Sequence, residues 1–108
     1  MIETPNDVHA GEIETSTALA VRPEQVRLDR VEKMVPEFRS GYLDFTSKRG
    51  ISWHAFTKKI SESGVMGDPT RASAEKGRKM WDVMIQHLVT FVEDLKRLTL
   101  DEIHHRRF

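Results

Sequence analysis

In the second half of the chain, apolar residues return at three- and four-residue steps: Gly77, Met80, Trp81, Met84, Leu88, Phe91, Val92, Leu95 and Leu98. That spacing is one face of an α-helix. Ser73 precedes the run as a suitable N-cap, and no proline interrupts residues 74–98, so a helix is predicted there. On its polar side Glu75 with Lys79, and Glu93 with Arg97, stand four apart in the favourable order, worth a few tenths of a kcal/mol per pair. His87 lies on that side and is expected to be solvated. A stripe this long, with little else in the chain to cover it, calls for a sheet to lie against it.

The first half is less regular. Asp7 is a good N-cap, two acids (Glu12 and Glu14) follow it closely, and no breaker comes before Pro23, which predicts a helix from about residue 8 to 22. Ile13, Thr17, Ala20 and Val21 would face a core, with Glu12, Ser16 and Arg22 facing outward. Gly11 would sit inside this helix, where glycine costs about 1 kcal/mol against alanine, so a close backbone approach is expected at that turn. Residues 1–6 read as an exposed lead-in, extended at Pro5. Pro23 opens a short helical turn, and residues 27–34 show no clean period. Residues 35–52 read as a loop anchored by Phe38, Tyr42 and Phe45. Residues 51–56 alternate as a strand, and the pattern continues through Lys58 and Ile60. A single strand leaves backbone groups that demand a partner from another copy or another chain. Residues 99–108 read as a frayed tail, where the adjacent His104 and His105 make a poor chelating pair.

Composition narrows the class. With 108 residues, 38% hydrophobic and 31% charged, the chain can bury one modest core, as a single partial domain over 1–108. Seventeen basic residues balance seventeen acidic ones, so nothing draws it toward nucleic acid or an anionic membrane. Cysteine is absent, which excludes a disulfide scaffold and thiolate metal sites and suits a reducing cytoplasm, the expected location. No apolar run approaches the ~18 residues of a membrane span, and no internal repeat is present.

Chemistry concentrates in Asp7-Val8-His9-Ala10-Gly11-Glu12-Ile13-Glu14-Thr15-Ser16. At the positive end of the predicted helix His9 would favour the neutral imidazole, a form able to accept a proton. Residues five apart on a helix point about 140° from each other, so His9 and Glu14 share a pocket only if His9 precedes the helix proper; Glu12 is the geometric neighbour otherwise. Asp68-Pro69-Thr70 reads first as a rigid turn feeding the last helix, and Trp53 and Tyr42 as rings for a core or an interface.

His9-Ala10-Gly11, Glu14-Thr15-Ser16, Leu19-Ala20 and Pro23-Glu24, with the later run from Ser63 to Thr70 and Ala72-Ser73-Ala74-Glu75-Lys76-Gly77, resemble the C-terminal half of the creatininase family of metal-dependent amidohydrolases. The resemblance covers residues 7 to about 95. It implies an α/β chain: part of a three-layer α/β/α fold, with two main helices and one or two strands here. It also implies hydrolysis of a C–N bond in a cyclic amide or related ring, with His9 and Glu14 catalytic and His9 assisting the leaving nitrogen. The complete family enzyme would carry divalent metal, Zn or Mn. The family's His-Gly-Gly-Asn segment and His-x-Glu-Asn motif do not occur here, so this chain alone is expected to bind none. The metal-binding half would be absent, and partners would be a small cyclic substrate and either further copies or a chain carrying that half. The alternative is a non-catalytic assembly module that joins full-length relatives through the apolar stripe.

Overall fold

A computed structural model describes residues 2–40, 42 and 56–104. The chain divides into two compact units, residues 1–78 and 79–108. In the first, the backbone is organised around Met66 and Gly67. The amides of Val8 and His9 both donate to the Met66 carbonyl (2.8 and 3.1 Å), and the Met66 amide donates back to His9 (2.8 Å). Gly67 exchanges the same pair of bonds with Met34 (2.7 and 3.0 Å). These two antiparallel bridges are the only β pairing among the described residues.

Helix α1 spans Glu12–Val21, four residues shorter at its start than the sequence predicts. Asp7 does cap it, but from a distance: Oδ1 accepts from the Glu12 amide and Oδ2 from the Ile13 amide, both at 2.8 Å. Between cap and helix the chain turns at Ala10, whose φ of 51° is left-handed, and this turn keeps His9 out of the helix. The expected close approach at Gly11 is present. A Cβ there would lie 1.8 Å from Asp7 Oδ1 and 2.9 Å from the Gly67 Cα.

The buried face of α1 includes Ala20, as the hydrophobic pattern assigns, and Arg22 is exposed, but the other positions differ. Glu12 and Ser16 are fully buried, while Ile13 and Val21 are exposed. Glu12, Ser16 and Ala20 follow one another at four-residue steps on one side, and the start of α3 (Ala74–Arg97) comes against that side. A Cβ on Gly77 would lie 1.9 Å from the Ser16 carbonyl oxygen and 2.9 Å from the Ala20 Cβ. The Ser73 amide also donates to Ser16 Oγ at 3.1 Å. Small side chains and a satisfied carboxylate therefore take the inward side, because only they allow two backbones this near each other.

The predicted short turn is a 3-10 turn at Pro23–Gln25, and another forms at Leu28–Arg30. Phe56 is irregular and α2, a single turn, spans Thr57–Ile60. The strand therefore does not extend to Lys58 and Ile60: the Ser61 amide donates to Thr57 (2.8 Å), pairing the backbone locally instead of across a sheet. The predicted strand itself, with Trp53 and His54, lies in residues 51–55, outside the described residues, as does Phe45; Phe56 ends the predicted run. A third 3-10 turn, Pro69–Arg71, is capped by Asp68, which accepts from the Thr70 amide (3.2 Å) and hydroxyl (2.5 Å). Ser73 Oγ accepts from the Lys76 amide (3.2 Å), so Ser73 caps α3 as predicted.

The lead-in is not loose. Thr4 is buried, and the Glu3 and Thr4 amides donate to the Glu12 carboxylate at 2.9 and 2.8 Å. Among the described residues the buried polar side chains are Thr4, Glu12, Ser16, Ser61 and Asp68, beside Met66, Pro36 and Pro69. Among the described residues of this unit, hydrogen bonds and ion pairs tie the lead-in and α1 to the start of α3.

The second unit holds the rest of α3 and α4, Leu100–His104. The predicted fray at residues 99–104 is instead a short helix begun by a capping box. The Thr99 amide donates to Glu102 Oε2 (2.8 Å), and the Glu102 amide donates to Thr99 Oγ1 (3.2 Å). His104 lies in α4, and His105 is outside the described residues. Glu93 pairs with Lys96 at 3.0 Å rather than with Arg97, which approaches Asp94 at 3.7 Å. His87 is exposed, as expected. So are the stripe positions from Trp81 onward, Leu88 at 60% and Phe91 at 56% among them. Among the described residues no helix is long and apolar enough to cross a membrane.

Candidate functional site

His9 has its own amide and carbonyl tied to Met66, so its backbone cannot drift relative to the bridge. The left-handed turn at Ala10 then reverses the chain immediately after it. Glu14, in the first turn of α1, comes round to the same side: His9 Nδ1 is 3.6 Å from Glu14 Oε2. The geometric condition for the pair to share a pocket, a histidine ahead of the helix, is met. Glu14 is itself aimed by the Ala10 amide, which donates to Oε2 at 2.5 Å. The three residues form a small closed unit of imidazole, carboxylate and backbone N–H.

This unit opens on a shallow cleft of about 380 Å³ whose wall also includes Arg27, Arg30, Val65 and Pro69. His9 and Glu14 side chains are 57% and 61% exposed, so either can meet a ligand without rearrangement. Chemically the arrangement offers an imidazole to carry a proton, a carboxylate to orient it and stabilise its cation, and two guanidinium groups on the wall. Among the described residues no three His, Cys, Asp or Glu side chains converge. His9 and Glu14 supply two donors of a kind that metals accept, so a divalent ion beside them would need further ligands from outside the described residues.

Glu12 takes no part in the cleft. Its Oε2 accepts from the Glu3 amide, the Thr4 amide and the Thr4 hydroxyl (2.7 Å), and its Oε1 from Lys76 Nζ (2.5 Å). Burial pushes this carboxyl up, but the Lys76 ammonium and the donors of Thr4 and Glu3 together outweigh it and bring the pKa to about 2. Lys76 also donates to Glu3 Oε1 (3.1 Å) and to the Arg71 carbonyl (3.0 Å). Sequence reading missed this hub, because an acid and a serine on a helix look like solvent-facing positions. The available signal was Ser16 and Ala20 in step with Glu12, small residues that mark a close neighbour.

Asp68 is buried and does the work of a turn former. The Thr70 hydroxyl holds its carboxyl below the usual range; burial opposes this, and the Thr70 amide, Lys33 and Arg71 reinforce it. Lys33 Nζ lies 3.8 Å and Arg71 Nε 3.3 Å away, on a second cleft of about 460 Å³ lined also by Thr4 and Glu37. Tyr42 is exposed at 55%.

Residues 1–92 match the profile described as "Creatininase: Creatinine amidohydrolase". The chain is 33% identical over 91 residues to the mycofactocin precursor peptide peptidase of Mycobacterium tuberculosis (strain CDC 1551 / Oshkosh), an alignment covering 77% of this chain and 31% of that protein. For the protein of the same name from Mycolicibacterium smegmatis the identity is 31% over 87 residues, covering 73% and 30%. The crystal structure of a candidate creatinine amidohydrolase from Bacteroides fragilis NCTC 9343 aligns with a TM-score of 0.70 at 25% identity, over 91% of this chain and 37% of that one. The fold of this chain is thus similar to part of a creatininase-like fold, and the chain spans about a third of the length of these relatives.

Proposed function

The chain belongs to the creatininase family, and we propose that within a hydrolase of that family His9 and Glu14 form the proton-transferring wall of a cleft where a carbon–nitrogen bond is broken. The observation that carries this is the approach of His9 Nδ1 to Glu14 Oε2 at the rim of the cleft. With Glu14 engaging Nδ1–H, Nε2 is left as the nitrogen that exchanges a proton with substrate. Catalytic contacts that are long in a free enzyme tighten in the complex, so 3.6 Å suits this role. As water adds to the carbonyl, Nε2 takes the proton that the water gives up, and as the C–N bond breaks the Nε2–H passes that proton to the departing nitrogen. Glu14 stabilises the imidazolium that precedes this transfer and fixes the ring in one tautomer.

In the complete family fold a bound divalent ion would supply the activated water, its ligands coming from outside the described residues. The bridged segments at residues 8–9, 34 and 66–67 would seed the sheet of a three-layer α/β/α fold. The substrate suggested by the family is a cyclic amide or related ring. A precursor peptide is the second reading, supported by the names of the mycobacterial relatives. Both present the same leaving nitrogen to His9.

The test has two parts. In the chain alone, 15N NMR of His9 should show the Nδ1–H tautomer, and Glu14→Gln should shift the ring toward the other tautomer. In a complex with a creatininase-family chain carrying the His-Gly-Gly-Asn segment, His9→Asn should lower amide hydrolysis by about 10²–10⁴-fold. An unchanged tautomer in Glu14→Gln, or full activity in His9→Asn, refutes the assignment.

A further inference from the structure

The segment that follows α1 folds as two successive 3-10 turns, Pro23–Gln25 and Leu28–Arg30. The Val26 amide donates to the Pro23 carbonyl at 3.1 Å, and the Arg30 amide donates to the Arg27 carbonyl at 3.0 Å. A 3-10 turn takes three residues, so side chains three apart lie one above the other. Arg27 and Arg30 are therefore brought to one side of the segment, and both line the cleft on which His9 and Glu14 open.

Charge then selects what this wall can hold. Among the described residues Arg27 has no acidic partner. Arg30 reaches Asp29 at 3.9 Å, a contact between exposed side chains that is worth little in water, and Asp29 does not line the cleft. Glu14, the carboxylate that does line it among the described residues, accepts from the Ala10 amide and faces His9. With the imidazole neutral, two guanidinium charges against one carboxylate leave the lining one positive charge in excess. Two like charges side by side repel, and a monoanion placed between them removes that repulsion. The guanidinium fork matches the planar carboxylate in particular. Val26, Val31, Val65 and Pro69 make the rest of the wall apolar, and the volume, about 380 Å³, is near the small end of ligand sites (~300–1,000 Å³). A group the size of one amino acid suits it.

Building on the hydrolase reading, in which His9 protonates the departing nitrogen, we propose that Arg27 and Arg30 hold a carboxylate borne by the departing amine. The substrate is then an N-acyl amino acid, free or at the carboxyl end of a peptide, with its apolar side chain against the valines. Water supplies the hydroxyl of the new acid and one hydrogen of the released amine, so the products are a carboxylic acid and an amino acid.

N-acetylvaline and its neutral carboxamide differ in the charged group alone and separate charge from shape. In NMR titrations of the 108-residue chain, N-acetylvaline should shift the His9 ring signals and the Nε–H signals of Arg27 and Arg30 saturably, and the carboxamide should bind about tenfold more weakly. Arg27→Gln and Arg30→Gln, both at exposed positions, should each remove most of that difference, with circular dichroism checking the fold. No saturable shift, equal affinity for acid and carboxamide, a difference that survives both substitutions together, or inorganic phosphate binding as tightly as N-acetylvaline overturns the assignment.

Hydrolysis in a complex with a family chain carrying the His-Gly-Gly-Asn segment tells this failure from failure of the hydrolase reading. Arg27→Gln should lower the ratio of kcat/KM for N-acetylvaline over its carboxamide about tenfold, whereas His9→Asn should lower both rates and leave the ratio. A ratio unmoved by Arg27→Gln, with activity still lost in His9→Asn, refutes the arginine pair alone. Full activity in His9→Asn, with the NMR selectivity intact, removes the hydrolase reading and leaves Arg27 and Arg30 as a carboxylate-binding site.

Discussion

Replacing Glu12 by glutamine isolates the feature on which the first unit most depends. The carboxylate accepts four hydrogen bonds while fully buried, three on Oε2 from Glu3 and Thr4 and one on Oε1 from Lys76. An amide has one acceptor oxygen. If that oxygen serves Glu3 and Thr4, the NH2 group faces the Lys76 ammonium, donor against donor. The three remaining bonds also lose their charge assistance, and a hydrogen bond to a charged group is worth about 1 kcal/mol more than a neutral one. Lys76 keeps Glu3 Oε1 and the Arg71 carbonyl and remains one-fifth exposed, which softens the loss. The expected cost is about 3 kcal/mol, a large share of the ~5–15 kcal/mol that holds an ordinary domain together.

Urea titration of the 108-residue chain by far-UV circular dichroism measures this cost, with Lys76→Met alongside. That second variant leaves Glu12 its three donors from Glu3 and Thr4 and should cost less. The pH series carries the same logic. Glu12 titrates near 2 in the folded chain against 4.5 when free, so its contribution is fully present above about pH 4.5 and fades as pH falls toward 2. The gap between wild type and Glu12→Gln should close over that window. A cost under about 1 kcal/mol, a larger cost for Lys76→Met, or a gap that persists at pH 2 would each refute the reasoning.

Two further substitutions test how the backbone segments meet. Gly77→Ala gains helix propensity of about 1 kcal/mol, yet its Cβ would sit 1.9 Å from the Ser16 carbonyl oxygen; a net loss of about 2 kcal/mol in urea denaturation is expected, and a gain would show that α1 yields easily there. Ala10→Val places a β-branched side chain at a φ of 51° and should cost about 1–2 kcal/mol in the same assay, with the His9 NMR signals displaced, because the turn that presents His9 is strained by it.

Much of α3 was legible because its information is local. Its apolar period, the Ser73 cap and the absence of proline all act within a few residues, and the helix runs where they predict. Gly11 was legible for a similar reason: a glycine against local propensity implies a nearby backbone, and Gly67 supplies it. The faces of α1 were not. Glu12 looks like a solvated first-turn acid until its donors are known, and one of those donors, Lys76, lies 64 residues away. The start of α1 was misplaced because alanine carries no mark of a left-handed turn. That conformation at Ala10 is fixed by the Met66 bridge on one side and by the Asp7 cap on the other.

The sequence by itself determined the family, the long amphipathic helix and the pair of residues worth watching, since motif order and helical period are written in consecutive positions. Only the tertiary structure decided that His9 precedes its helix and so meets Glu14, and that Glu12 is a buried anchor. Both outcomes depend on segments distant in sequence coming together, where the energy of a buried carboxylate or a strained turn is set by neighbours no local window contains.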